Sequence, residues 1–190
     1  NPRNAGKNAP WTTNKEGGDG FILKFDMDGN FKMRIGGTPK GPASNDTNGG
    51  INGTPLLYLA ADMVVDPATN RLYVADGYVN HRVIIFDATT GAYKRHWGAY
   101  GKAPDDGWFT RAGETLPGPF RGVVQNENRP SQYDPNGPPA PQFRIVHAVR
   151  ISKDGLVYVC DRTNDRLQVF TKAGGFLREV VINKETLGSG

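Results

Sequence analysis

Short runs of alternating apolar and polar positions recur along this chain. The fullest instance is Arg71 to Gly98, RLYVADGYVNHRVIIFDATTGAYKRHWG. Within it, Leu72-Tyr73-Val74-Ala75-Asp76 has the β-branched and aromatic content of a strand and ends on an Asp suited to a turn. A polar loop, 77–81, leads to a second strand pattern, Arg82-Val83-Ile84-Ile85-Phe86. A turn at Thr89-Thr90-Gly91 follows, and Tyr93 opens a third. The same order returns as Leu156-Val157-Tyr158-Val159-Cys160-Asp161, loop 162–165, Arg166-Leu167-Gln168-Val169-Phe170, Ala173-Gly174-Gly175 and Phe176. The second half alone occurs earlier, as Phe21-Ile22-Leu23-Lys24-Phe25, Asp28-Gly29 and Phe31. Asp-Gly between alternating apolar residues is the strongest short hairpin signal.

Each full unit also has a preceding strand. Met63-Val64-Val65-Asp66 runs into the turn 67–70, and Val149-Arg150-Ile151-Ser152 into Lys153-Asp154-Gly155. The unit is thus four short antiparallel strands. One such sheet cannot bury both faces alone, and stacking units around an axis solves that problem. The predicted fold is all-β, a β-propeller of four-stranded blades.

The pattern (L/I)-Y-V-(A/C)-D, a loop with Asn, then R-(V/L)-x-x-F and a Gly turn resembles the NHL repeat. It is carried by Leu72–Asp76 with Asn80 and Arg82–Phe86, and by Val157–Asp161 with Asn164 and Arg166–Phe170. The resemblance implies a propeller, most often six-bladed, and no single activity. At about 40–45 residues per blade, 190 residues hold roughly four blades at most. Phe25, Phe86 and Phe170 stand 61 and 84 residues apart, so insertions reduce the expectation to about three blades. A closed ring has about four to eight. Residues 1–190 are therefore expected to form one partial propeller domain. Either it is a piece of a longer ring, or chains associate to complete one, since open sheet faces and edges favour association.

Between the two full units lies a long insertion, 99–141, holding eight of the 14 prolines together with Trp108, Phe109, Phe120 and Tyr133. Aromatics interleaved with Pro suggest an ordered lid or contact surface rather than a flexible linker. Residues 1–20 read as loop or the remnant of an earlier blade, and 36–55 as a Gly/Asn/Pro/Thr linker with sequons at Asn45 and Asn52. Asp26-Met27-Asp28-Gly29-Asn30 lacks the spacing and closing Glu of an EF-hand and reads as a hairpin turn.

Charge narrows the classes further. The net charge is +4, with Arg34, Lys94, Arg95, Arg121, Arg144, Arg150 and Arg178 spread along the chain and no run of five like charges. No clustered basic face of the nucleic-acid-binding kind is indicated. No apolar stretch approaches the roughly 18 residues of a membrane span. Cys160, the one cysteine, lies in a strand pattern and reads as a small core residue. There is no Gly-x-Ser-x-Gly elbow, phosphate loop or dinucleotide fingerprint.

Propellers place ligand sites at the axial channel, lined by the innermost strands. The candidates there are Asp62 and the stretch Arg144-Ile145-Val146-His147. Aligning the two full units backward from Asp76 and Asp161 sets Ala148 opposite Asp62 and His147 opposite Ala61. His147 and Asp62 are then expected at similar heights near the channel mouth. His147 resembles the channel His of NHL-type lyases acting on peptidyl-hydroxyglycine, where several such His bind zinc. Only His147 matches, because His81 and His96 fall on outer elements. Six-bladed lactonases of the gluconolactonase type imply instead a divalent cation, such as calcium, held by Asp62 with Asn80 or Asn164. Asp76 and Asp161 recur in both units, and the expectation for them is structural pairing with Arg82 and Arg166.

Three readings follow. The first is a binding or scaffold propeller for a protein, small-molecule or glycan ligand. Its contacts would be Trp108, Phe109, Arg121 and Tyr133 of the insertion, with Arg144 at the channel mouth. The second is a metal-dependent lactonase or lyase with zinc or calcium at His147 and Asp62. The third is a structural fragment of a larger propeller protein. Family habit and the Asn/Gly/Pro-rich loops suggest a secreted or periplasmic setting.

Overall fold

The computed structural model describes residues 20–37, 45, 56–78, 80–105 and 136–184. These form ten strands: β1 Phe21–Phe25, β2 Phe31–Gly36, β3 Asp62–Asp66, β4 Arg71–Asp76, β5 Arg82–Asp87, β6 Tyr93–Trp97, β7 Val146–Ile151, β8 Val157–Asp161, β9 Arg166–Phe170 and β10 Phe176–Val181. They build three antiparallel sheets, β1-β2, β3-β4-β5-β6 and β7-β8-β9-β10, here called blades 1, 2 and 3. The all-β, blade-based expectation therefore stands, with blade 1 as the outer half unit.

Register makes the repeat concrete. Asp62 pairs with Ala75, and Ala148 pairs with Cys160, so Ala148 is the positional counterpart of Asp62. Tyr73-Val74-Ala75-Asp76 matches Tyr158-Val159-Cys160-Asp161 strand for strand. All three outer hairpins break register at the same place. Phe25 pairs with Phe31, Phe86 with Tyr93 and Phe170 with Phe176, each beside an irregularity that skips Lys32, Lys94 and Leu177. Such bulges add local twist and bend the outer strand.

Blade 2 is apolar on both faces, which is why β4 and β5 read as continuous apolar runs. Leu72, Val74, Ile84 and Phe86 face blade 1 and pack with Ile22, Ile35 and Leu57. Tyr73, Ala75, Val83, Ile85 and Trp97 face blade 3 and pack with Val149, Val157, Val159, Phe143 and Phe170. Each such side chain, fully buried, contributes roughly 1.5–3 kcal/mol. Two glycines permit the close fit. A Cβ on Gly77 would sit 2.2 Å from the Val146 backbone, and one on Gly174, whose φ is +92°, would sit 2.7 Å from the Trp97 ring. Polar ties reinforce this junction: Lys172 Nζ lies 2.6 Å from Asp66 Oδ2, and Arg95 donates to the Ala173 carbonyl at 3.0 Å.

Candidate functional site

Asp76 and Asp161 end the second strand of their blades, where the chain must turn back with its polar groups buried. Asp76 Oδ1 accepts the Tyr58 N–H at 3.0 Å, while Oδ2 accepts Asn80 at 2.8 Å and Arg82 Nε at 2.9 Å. Asp161 repeats the pattern. Its Oδ1 accepts the N–H groups of Arg144 (2.9 Å) and Ile145 (3.2 Å), and its Oδ2 accepts Asn164 (2.6 Å) and Arg166 Nε (2.9 Å). The Asn and Arg of each set then donate to a carbonyl of the incoming segment, Leu56 in blade 2 and Gln142 in blade 3. Burial pushes both carboxyls up from the ordinary range, opposed first by the neighbouring guanidinium and then by the N–H and amide donors. The expected Asp–Arg pairing is thus present. Asn80 and Asn164 direct their amides to those carboxylates.

Arg166 does more in blade 3. Its Nη1 reaches Tyr100 Oη (2.8 Å), the Ala140 carbonyl (2.8 Å) and Glu179 Oε2 (3.0 Å). Tyr100, at φ 58°, donates its N–H to Gln168 Oε1 at 3.0 Å and its hydroxyl to Glu179 at 2.9 Å. Asp105 N–H donates to Gln142 Oε1 at 3.2 Å. Tyr100 lies at the start of the 99–141 insertion and Ala140 near its end, so one guanidinium holds both stems. The sequence showed Arg166 as a repeat position. Its reach to the insertion depends on Gln168 and Glu179, which stand where blade 2 has Ile84 and His96.

The channel candidates occupy the facing edges of blades 2 and 3. Asp62 Oδ2 accepts the Val149 N–H at 3.0 Å and forms an ion pair with Arg150, linking the innermost strands. His147 is exposed at the register irregularity between Val146 and Ala148. Its Nε2 shares a 3.0 Å hydrogen bond with Tyr78 Oη, and the two rings meet edge-on at 5.6 Å. Sequence reading missed Tyr78, which reaches His147 only because the 77–81 loop meets the next blade. His147 and Asp62 thus take different partners. Asp62 is engaged by the Arg150 guanidinium and the Val149 N–H, and no three His, Cys, Asp or Glu gather among the described residues.

Arg144, expected at the mouth, is 3% exposed, and its carbonyl accepts His81 Nδ1 at 3.1 Å. Trp108, Phe109, Arg121 and Tyr133 lie outside the described residues. A cleft of about 360 Å³ opens beside His147 on the far face of blade 3, lined by Cys160, Arg162, Leu167 and Ile182. Burial pushes the half-buried Cys160 thiol up from its ordinary range.

The family model for the NHL repeat matches residues 143–170, spanning the last incoming segment through β9. This stretch carries an NHL repeat. Among curated proteins it is similar to peptidyl-glycine alpha-amidating monooxygenase B of Xenopus laevis, 30% identical over 121 residues. It is 28% identical to the A form from the same organism over a segment of equal length. Each match covers 63% of this chain and 10% or 9% of the relative, so the chain spans about a tenth of their length. Among the described residues no helix is long and apolar enough to cross a membrane.

Proposed function

We propose that this NHL chain is a binding module, contributing blades to a ring of about six and capturing a protein, small-molecule or glycan ligand at its mouth and insertion. The observation that carries the reading is the double hold of Arg166 on Tyr100 and Ala140. A rigid blade that grips both stems of one loop is the arrangement by which scaffolds present binding loops. The intervening sequence offers Trp108, Phe109, Arg121 and Tyr133, residue types that dominate interface hot spots.

The test compares the full chain with a variant in which a short Gly-Ser bridge replaces residues 106–135. Both are screened on the same glycan and peptide arrays. Hits that vanish in the variant while its melting transition is retained support the reading. Hits that survive the deletion refute it.

The similarity to amidating monooxygenases supports a second reading as an enzyme, and we place in it a lactonase or lyase with a divalent ion, zinc or calcium, near His147 and Asp62. Elemental analysis before and after chelator decides it. About one ion per chain, lost in His147→Ala or Asp62→Ala, would carry that reading, and no stoichiometric ion would remove it.

A further inference from the structure

Blades 2 and 3 meet along a cleft of about 390 Å³, lined by Arg71, Lys94 and Arg95 of blade 2 and Lys172 of blade 3, with the buried Tyr73 and Ile85 in its wall. It lies at the end of the junction opposite the Asp76 and Asp161 corners, beside the turns 67–70 and 171–175. Among the described residues four cations line it and no carboxylate does. The two nearby carboxylates cap their own turns. Asp66 accepts the Ala68 N–H at 3.3 Å and the Thr69 hydroxyl at 2.5 Å, and Asp87 accepts the Thr89 and Thr90 N–H groups at 3.1 Å each. Asp66 also takes Lys172 at 2.6 Å, and Asp87 takes Arg71 at 2.8 Å with Lys94 at 3.7 Å. Arg95 gives one N–H to the Ala173 carbonyl. Four cations against two carboxylates leave two positive charges in excess. Donors remain as well, since an Arg carries five N–H groups and a Lys three. The Tyr73 hydroxyl lies among these charges: burial pushes it up, Asp66 adds to that, and Arg95 and Arg71 oppose it. The repeat does not require the cations. Blade 3 has Leu156 and Leu177 at the positions of Arg71 and Lys94, and Arg178, the counterpart of Arg95, stands on its far face.

We propose that this cleft binds the phosphate monoester of a small organic molecule. A phosphate monoester carries about −1.5 to −2 charge near neutral pH, which matches the excess, whereas a carboxylate or a sulfate ester brings a single charge. The planar forks of Arg71 and Arg95 suit paired phosphate oxygens, and Lys94 and Lys172 add point charges. The apolar part of the ester rests on the wall formed by Tyr73 and Ile85. The cleft falls within the range of small-ligand sites, about 300–1,000 Å³. It lies away from the insertion and its stems, so the proposal stands apart from the binding role given above.

The probe is phenyl phosphate, titrated calorimetrically into the full chain at about pH 8 and low salt, where the ester is a dianion and screening is weak. One saturable site per chain is expected. Phenyl sulfate, with the same shape and a single charge, and inorganic phosphate should each bind at least about tenfold more weakly. Lys94→Gln should weaken the ester about threefold or more, and Lys94→Gln combined with Arg95→Gln at least about tenfold. Arg178→Gln, at the counterpart of Arg95, should leave binding unchanged. If the double variant melts lower, Lys94→Gln alone decides, because Lys94 is exposed and its side chain makes no hydrogen bond among the described residues. Binding that does not saturate, equal affinity for phenyl sulfate, indifference to Lys94→Gln, or an equal loss in Arg178→Gln would each overturn the proposal. So would inorganic phosphate binding as tightly as the ester, which would assign the cleft to the free ion.

Discussion

Blades 2 and 3 turn the same corner with the same three residues, yet the rows beside those corners differ. In blade 2 the pair facing along the outer strands is Ile84 and His96. Ile84 is buried in the apolar packing against blade 1, and His96 shares a 3.0 Å hydrogen bond with Tyr93. In blade 3 the same row is Gln168 and Glu179, and it becomes a polar seat for Tyr100. Two substitutions at equivalent positions thus separate a blade that packs from a blade that also grips. The lesson is that the repeat supplies the corner, while departures from the repeat supply the attachment.

Removing a corner should have the largest effect. Asp76→Ala and Asp161→Ala each leave a buried guanidinium and several N–H groups without an acceptor. Each is expected to cost about 3–5 kcal/mol in urea unfolding, and a loss below about 1 kcal/mol in either would break the equivalence of the two corners. Arg166→Lys and Arg82→Lys separate the roles next. Lysine keeps the charge but not the fork. In limited proteolysis, Arg166→Lys should speed cleavage within 99–141 by on the order of tenfold at modest global cost, with Arg82→Lys leaving those sites unchanged. Equal acceleration in both would mean that the grip is not specific to blade 3.

The smallest effect is a pH dependence. Burial, aided by the charge of Arg82, holds His96 down at about 4 from its usual 6.5. The unfolded chain then binds the extra proton between those values, so this residue's contribution to stability falls as pH drops from about 6.5 to 4. His96→Gln should flatten that slope in thermal melts, and the difference between the two chains isolates it from the buried carboxylates. Unchanged slopes would show that His96 is solvated. Asp66 and Asp87 are held low, Asp66 first by Lys172 and Asp87 by the Thr90 N–H, and act only at more acidic pH.

What sequence alone could reach follows the same division. Periodicity exposed the strands, and the alignment that set Ala148 opposite Asp62 matches the observed register. The Asp–Arg pairs were legible because they recur within 6 and 5 residues. Contacts made once, over long separations, were not. Arg150 reaches Asp62 across 88 residues, Tyr78 meets His147 across 69, and Arg166 finds Tyr100 across 66. No local signal encodes those distances. The burial of Arg144 was hidden too, because its place depends on how Asp161 draws the incoming backbone inward.

The shared hold on Tyr100 and Ala140 also bears on how such a chain can change. With both stems held by one guanidinium, the span that the intervening sequence must bridge is set by the blade. Doubling the length of a flexible loop between fixed ends costs only about 0.6 kcal/mol in closure entropy. Changes of length after Asp105 are therefore expected to act on the sheets chiefly through these two stems, and a variant library confined to 106–135, read by thermal melting, would check that expectation.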